Sequence, residues 1–429
     1  VRFPPVCSSL FSTNRDRLRA LMEPGSLAVI HSNDVMPTNA DGVMGFRQNT
    51  DLLYLSGIDQ EETVLLLFPD AADPADREIL FVRETSAHIA VWEGPRLDKD
   101  GARAASGISR VEWSSAFDAA LQRLAPRAER LLLATNEHPR ASSEVESRNN
   151  RFVRKCREQF PLHRLGRLAP LMHRLRAIKQ PGEIDLLRKA CDLTGSAFRR
   201  VLGFIRPGVG EWEIEAEWLH EFVRSGARGF SFPPIIGSGA NACVLHYVEN
   251  RDRCRDGDLV LMDVGTECRG WNSDMTRTVP VNGRFSKRQR EVYDAVLRVM
   301  RGADALLRPG NTPAAYQKQV LALMEEELVR LRLFSAADAR AQGPEKPLVR
   351  KYFMHGASHH LGLDVHDVSP PDEAFAEGMV LTIEPGIYLP DENIGVRIET
   401  DVLIGRDGNT DLLAGTPIEA GEIEELMAR

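Results

Sequence analysis

The apolar run Leu259-Val260-Leu261-Met262 leads straight into Asp263 and resumes at Val264, so whatever buries this strand must also bury a carboxylate. A second block with strand character, Trp271–Thr278, holds Asp274. Between them Glu267–Gly270 supplies a turn. A two-residue hairpin loop of Cys268 and Arg269 sets Asp263 opposite Asp274, and cross-strand partners point to one face. A lone strand Asp is ordinarily a turn or edge residue. Two facing acids, one of them inside an apolar run, repel unless positive charge lies between them, and a metal pair meets that need.

Further donors lie downstream. The block Met354–Asp367 holds four of the eleven histidines, His355, His359, His360 and His366, within twelve residues, among glycines that allow close backbone approach. Its spacing is neither H-E-x-x-H nor a zinc finger, so a metal reading needs partners elsewhere. Glu384 and Glu399 each follow a β-branched apolar residue, as carboxylates of buried strands would. A Glu beside Pro-Gly also commonly just starts a turn. Two Asp, two Glu and one His form an oxygen-rich set suited to a pair of Mn²⁺, Co²⁺, Fe²⁺ or Zn²⁺ ions.

The 429 residues exceed one ordinary core. Up to about residue 172, strand candidates (Leu27–His31, Leu52–Leu55, Thr63–Phe68, Ile79–Val82, Leu131–Ala134) alternate with helical spacing at Asn14–Met22 and Ser114–Leu124. Pro69–Asp76 and Gly94–Gly107 read as loops. This alternation predicts an α/β domain over 1–172. From 173 to 429 the texture changes to an α+β domain, with helices from Pro181 to Ile205, Trp212–Val223, Lys287–Ala305 and Pro313–Leu333 and strand-rich blocks around them. Trp212, Leu219, Phe222 and Val223 read as the apolar members of the second helix.

A net charge of −8 (54 basic against 62 acidic side chains) argues against a nucleic-acid partner. No apolar run approaches the roughly 20 residues a membrane span needs. Six cysteines without a C-x-x-C pair fit a reducing cytoplasm better than a disulfide framework. The first fifteen residues, with Arg2 and Arg15 and no acid, faintly resemble a transit segment and read as a frayed N-terminus.

At Asp263, Asp274, His359, Glu384 and Glu399 the chain resembles the pita-bread metallopeptidase family, which includes aminopeptidase P, prolidase and methionine aminopeptidase. The stretch Phe46–Gly57 is similar to the opening of the N-terminal domain that marks the aminopeptidase P branch and that methionine aminopeptidases generally lack. Creatinase shares the architecture without these metals, and the intact ligand set argues against it. The resemblance implies that Asp263 and Asp274 chelate one metal and bridge, that His359 binds the other with Glu384 beside it, and that Glu399 bridges both. It implies that His246 contacts substrate near the scissile bond, that His355 and His366 line the proline side, and that Arg397 and Tyr388 brace a metal-bound carboxylate. Trp92 corresponds to a residue that reaches a neighbouring subunit's active site in some relatives, although a lone Trp also serves packing. The fifteen-residue connection from Glu384 to Glu399 is shorter than in some relatives, which bears on the rim rather than the metals.

The implied reaction is hydrolysis of the N-terminal Xaa-Pro bond by a hydroxide bridging two metals, Mn²⁺ foremost, with Glu384 as proton shuttle and His246 and His366 on the developing oxyanion. Homodimers or homotetramers are common among such relatives. The rival readings are a prolidase acting on Xaa-Pro dipeptides and a non-catalytic pita-bread interaction protein.

Overall fold

A computed structural model describes residues 3–343 and 347–428. The chain divides into two compact units, one from Pro4 to Arg176 and the other made chiefly of Ala177 onward. In the first, a six-stranded sheet is built from β1 (Ser26–His31), β2 (Val64–Leu67), β3 (Glu78–Val82), β4 (Val111–Trp113), β5 (Arg130–Leu133) and β6 (Arg164–Arg167), in the order β4-β3-β2-β1-β5-β6. The β1–β2 and β2–β3 pairs are antiparallel and the outer pairs parallel. Leu66, Phe81, Phe117, Leu131 and Phe152 are among the side chains that fill its core.

Three local readings need correction in this unit. Leu52–Leu55 lies in a helix, Thr50–Ser56: the Asn49 side chain caps it at the Leu52 N–H and Gly57 closes it at φ 69°. All four apolar residues are buried, and a short run buried all round carries no period to separate strand from helix. The stretch read as a loop, Gly94–Gly107, contains the helix Lys99–Ser106, capped by Asp98 and closed by Gly107 at φ 74°. The stretch read as a frayed N-terminus is helical from Ser8. Helix Ser8–Leu21 buries Leu10, Phe11 and Arg15; the Arg15 guanidinium donates to the Leu55 and Ser106 carbonyls and pairs with Glu78. Residues 1 and 2 lie outside the described residues.

The second unit surrounds small antiparallel sheets with helices. Pro181–Leu202 begins with proline at its first position, where a missing N–H costs nothing. Ser286 and Thr312 cap Lys287–Leu306 and Pro313–Arg330. Helix Glu211–Arg224 departs from the expected apolar face. It buries Ile214, Trp218 and Phe222, with Trp218 stacked on Phe198, and leaves Trp212, Leu219 and Val223 exposed. The sequence is apolar on two adjacent stripes, and packing selects the one spaced by four residues.

The strands are β7 (Ile235–Ser238), β8 (Leu259–Val264), β9 (Glu267–Cys268), β10 (Trp271–Asn272), β11 (Met275–Pro280), β12 (Val380–Ile383), β13 (Gly386–Leu389), β14 (Ile394–Arg397), β15 (Thr400–Leu403) and β16 (Thr410–Asp411). They pair as β11-β8-β7, β9-β10, β12-β15-β16 and β13-β14. The β8–β11 register is not the expected one. Asp263 stands opposite Thr276, and the hairpin closes on Arg269 and Gly270. Both loop residues have positive φ, 57° and 97°, as a two-residue turn of this hand requires. Gly270 adopts that geometry without a Cβ clash, whereas a Cys268–Arg269 loop would place side chains at both positions. The Glu267 carboxylate accepts the Gly270 N–H at 2.6 Å and secures the turn. The slip is even-numbered in residues, so Asp263 and Asp274 keep a common face but meet diagonally.

Lys179 and Asp367 form a buried ion pair, Nζ to Oδ2 3.0 Å, that ties the approach to helix Pro181–Leu202 to the histidine-rich loop. Two measurements test these placements by chemical denaturation of the metal-free chain. Gly270→Ala should cost about 1–2 kcal/mol, the strain of a side chain in left-handed backbone. Lys179→Met should cost roughly 3–5 kcal/mol by taking the buried cation away from Asp367, and Lys179→Met combined with Asp367→Leu should recover most of it. An undiminished Lys179→Met chain would show that the pair is unimportant to the loop.

Candidate metal centre

Each expected donor is delivered by a different element. Asp263 projects from β8, and Asp274 immediately precedes β11, where its N–H leaves the ladder to donate to Asp401 Oδ2 at 3.0 Å. The histidine loop runs along the edge of β12. The Leu361 and Thr382 N–H groups bond across to Val380 and His359 carbonyls, the Glu384 N–H donates to Ala357 O at 3.0 Å, and the His359 N–H donates to Thr382 Oγ1 at 3.1 Å. Those bonds bring His359 beside Glu384, which follows β12 directly. Glu399 lies between β14 and β15, and its N–H donates to Thr276 O at 3.0 Å, which stitches it to β11 next to Asp274.

The side chains converge. His359 Nε2 lies 3.4 Å from Asp274, 3.7 Å from Glu384 and 4.0 Å from Glu399. Donor atoms of Asp274, His359 and Glu399 all fall within 4.8 Å of one another. His359 Nδ1 faces the His360 carbonyl at 3.0 Å. A carbonyl can only accept, so in the neutral ring that nitrogen carries the proton and Nε2, which faces the carboxylates, is the one left to ligate a cation between them.

Burial, and then the neighbouring charges of Asp263, Asp401 and Glu384, push the Asp274 carboxyl well above its ordinary range. Burial and then Asp274, Glu384 and Asp263 do the same to Glu399. Asp263 Oδ1 and Asp274 Oδ1 are buried without a hydrogen-bond partner. Crowded carboxylates, two orphaned acceptor oxygens and an imidazole lone pair aimed among them are the donor chemistry a divalent cation satisfies. The residues present fit a metal.

Arg397 organises the outer shell. It donates from Nη2 to Asp263 Oδ2 at 2.6 Å, from Nε to Thr276 Oγ1 at 3.1 Å and from Nη1 to Tyr388 OH at 2.9 Å. Thr276 in turn donates to Glu399 Oε2 at 2.7 Å. His355 Nδ1 faces Gly356 O at 2.7 Å and its Nε2 faces Tyr388 OH at 2.8 Å. The first contact puts the proton on Nδ1, so the tyrosine hydroxyl accepts from Arg397 and donates to His355. Burial drives the His355 pKa down to about 3, keeping the ring neutral for that role. His355 also lies 3.6 Å from Glu384. The His366 ring stands edge-on to His359, with centroids 4.4 Å apart. His246 is exposed and lies within electrostatic reach of His355. Trp92 is exposed on helix Ala87–Glu93 of the first unit.

Thr276, Thr382 and Asp401 went unremarked in the sequence reading. Asp401 accepts both the Asp274 N–H and the Cys191 thiol, and burial lifts its pKa to about 7. Strand parity was the available signal: Thr276 lies two residues beyond Asp274, and Asp401 two beyond Glu399.

Comparison with known proteins identifies the family. Residues 185–406 match metallopeptidase family M24, and residues 11–133 match the aminopeptidase P, N-terminal domain. The chain is 37% identical to the Xaa-Pro aminopeptidase of Escherichia coli (strain K12), over 97% of both chains. Among solved structures it resembles zinc-substituted E. coli aminopeptidase P in complex with product (TM-score 0.88, 35% identity, 99% of both chains). It also resembles E. coli aminopeptidase P with the inhibitor Pro-Leu (TM-score 0.86, 37% identity, 99% of both chains). The chain belongs to metallopeptidase family M24 and carries an aminopeptidase P N-terminal domain ahead of its metallopeptidase domain.

Proposed function

We propose that this chain removes the N-terminal residue from peptides with proline in second position, using two divalent ions held by Asp263, Asp274, His359, Glu384 and Glu399, with Mn²⁺ foremost and Co²⁺, Zn²⁺ or Fe²⁺ as alternatives. The observation that carries the reading is the gathering of repelling carboxylates, with orphaned oxygens, around the His359 lone pair. The name of the E. coli relative, Xaa-Pro aminopeptidase, supports the substrate class.

Bound divalent ions supply Lewis-acid chemistry, acidifying water and polarising the scissile carbonyl. The protein's own groups do the rest. Glu384, beside both His359 and His355, takes the proton of the attacking water and returns it to the prolyl nitrogen. His246 and His366 donate to the substrate and to the oxygen that gains charge, which favours the transition state over the ground state. Arg397 holds Asp263 in place and Tyr388 holds His355, and His355 with His366 lines the proline side. A prolyl bond has no N–H and a fixed φ, so it cannot take the extended pose of an ordinary peptidase substrate and needs a dedicated pocket.

A reducing, cytoplasmic setting is supported by six cysteines that are all free. No described helix is long and apolar enough to cross a membrane. A homo-oligomer is supported by Val91 and Trp92, adjacent apolar side chains about four-fifths exposed in the isolated chain.

Two measurements test the reading. Asp274→Ala and Glu399→Ala should abolish release of the first residue from Xaa-Pro-Xaa peptides and cut metal uptake. Thr276→Val, which removes a hydrogen bond to Glu399 and to Arg397 without replacing a ligand, should weaken metal affinity by calorimetry about 10- to 100-fold. Full turnover with either alanine variant would overturn the assignment, and turnover of Xaa-Pro dipeptides alone would make the chain a prolidase. Separately, relief of like-charge repulsion means that Asp274→Asn should raise the melting temperature of the metal-free chain. The same variant should lose most of the stabilisation that metal confers on the unsubstituted chain, about 2.7 kcal/mol at a hundred times Kd. If the metal-free Asp274→Asn variant melts lower instead, the carboxylate is held by the protein rather than by a cation.

A further inference from the structure

Glu211 is fully buried at the first position of helix Glu211–Arg224, and no role in the site has so far fallen to it. Its carboxylate is saturated. Oε1 accepts the Ser238 N–H at 2.7 Å, the Ser238 hydroxyl at 2.8 Å and the Asn241 side-chain amide at 3.2 Å. Oε2 accepts the Tyr247 hydroxyl at 2.8 Å and the Asp252 N–H at 2.9 Å. The Glu211 N–H donates back to Asp252 O at 2.9 Å. Five donors converge on one anion at a helix N-terminus, where the helix dipole also favours negative charge.

Every one of those donors belongs to the segment 238–252, and His246 lies inside it. Its own ring takes no hydrogen bond among the described residues; it is exposed, as are Val244 and Val248 on either side. Tyr247, next to it, points the opposite way and is buried through its bond to Glu211. The Tyr247 hydroxyl also accepts the Arg251 N–H at 3.2 Å. Residues 244–246 form a bend and a turn, so drawing Tyr247 inward at the end of that turn fixes how His246 is presented. The position of His246 is therefore set by what holds the segment's two ends and Tyr247, and all three are held by one carboxylate.

We propose that Glu211 is a positioning residue for the reaction, acting through Ser238, Tyr247 and Asp252 to present His246 to the substrate. This rests on the reading above that His246 touches substrate. A glutamine cannot replace the acid, because its NH₂ would face either the Ser238 and Asn241 donors or the Tyr247 hydroxyl and Asp252 N–H.

The test is a double-mutant cycle on the metal-loaded full chain, with an Xaa-Pro-Xaa peptide and equal metal content verified for each variant. Glu211→Gln should lower kcat/KM by about ten- to a hundredfold, the scale of a misplaced catalytic contact. His246→Ala should do likewise, and the combined variant should be no worse than His246→Ala alone. In the metal-free chain, hydrogen exchange at the Ser238 and Asp252 amides should quicken with Glu211→Gln. Losses that multiply in the combined variant, or unchanged exchange, overturn the inference while leaving the proposed function standing. Full activity of His246→Ala removes His246 from the proposed function and this inference with it. Should Glu211→Gln fail to fold, Tyr247→Phe removes a single hydroxyl and completes the same cycle, with a smaller loss that must likewise vanish in the His246→Ala background.

Discussion

The mutual repulsion of Asp263, Asp274, Glu384 and Glu399 around His359 is the constraint on which the rest of the second unit depends. Like charges this close cannot all ionise in a buried setting without a compensating cation. Burial and then the other acids act to neutralise Asp274 and Glu399. Arg397 answers one of the four directly, at Asp263, and touches a second only through Thr276. Arg277, also fully buried, donates to the Glu399 carbonyl and holds backbone rather than charge. The protein thus keeps a site whose acids are not matched by its own cations, and its stability must come from packing and from pairs such as Lys179–Asp367 that are not part of the donor set.

Holding such groups together takes a rigid frame, and the frame is made of backbone hydrogen bonds between segments far apart in sequence. Glu399 hangs from Thr276, Glu384 from Ala357, and Asp274 from the Asp401 side chain. Each donor has its own N–H spent on a neighbouring element, so moving one strand moves its carboxylate. The same logic extends outward. Thr382 fixes the His359 backbone, Tyr388 fixes His355, and Glu211 fixes the segment carrying His246. A ring of polar contacts of this kind makes the inner side chains precise to fractions of an ångström, which positioning for chemistry requires.

Much of this was legible in the chain itself where the signal is local. The helix starts expected at Pro181, Lys287 and Pro313 are the ones the structure shows. What went astray was set by competition between neighbours. Leu52–Leu55 is buried on every side, so its pattern has no period. Trp212, Leu219 and Val223 form a stripe as apolar as the one that packs, and it is the other stripe that meets Phe198 and Phe230, through Trp218 and Phe222. The hairpin register turned on which two residues can take positive φ, a rule that Gly270 satisfies and that the strand pattern alone does not reveal.

The amino-acid order by itself determined the donor types, the helix ends and the parity that puts Asp263 with Asp274 and Arg397 with Glu399, because caps, turns and the two-residue strand repeat act over a few residues. Tertiary structure alone decided which nitrogen of His359 faces the acids, through the His360 carbonyl that claims the other. It alone also recruited Thr276, Asp401 and Glu211, whose neighbours lie tens to more than a hundred residues away. A hydrogen bond across that distance depends on how whole elements pack, and no local pattern records it.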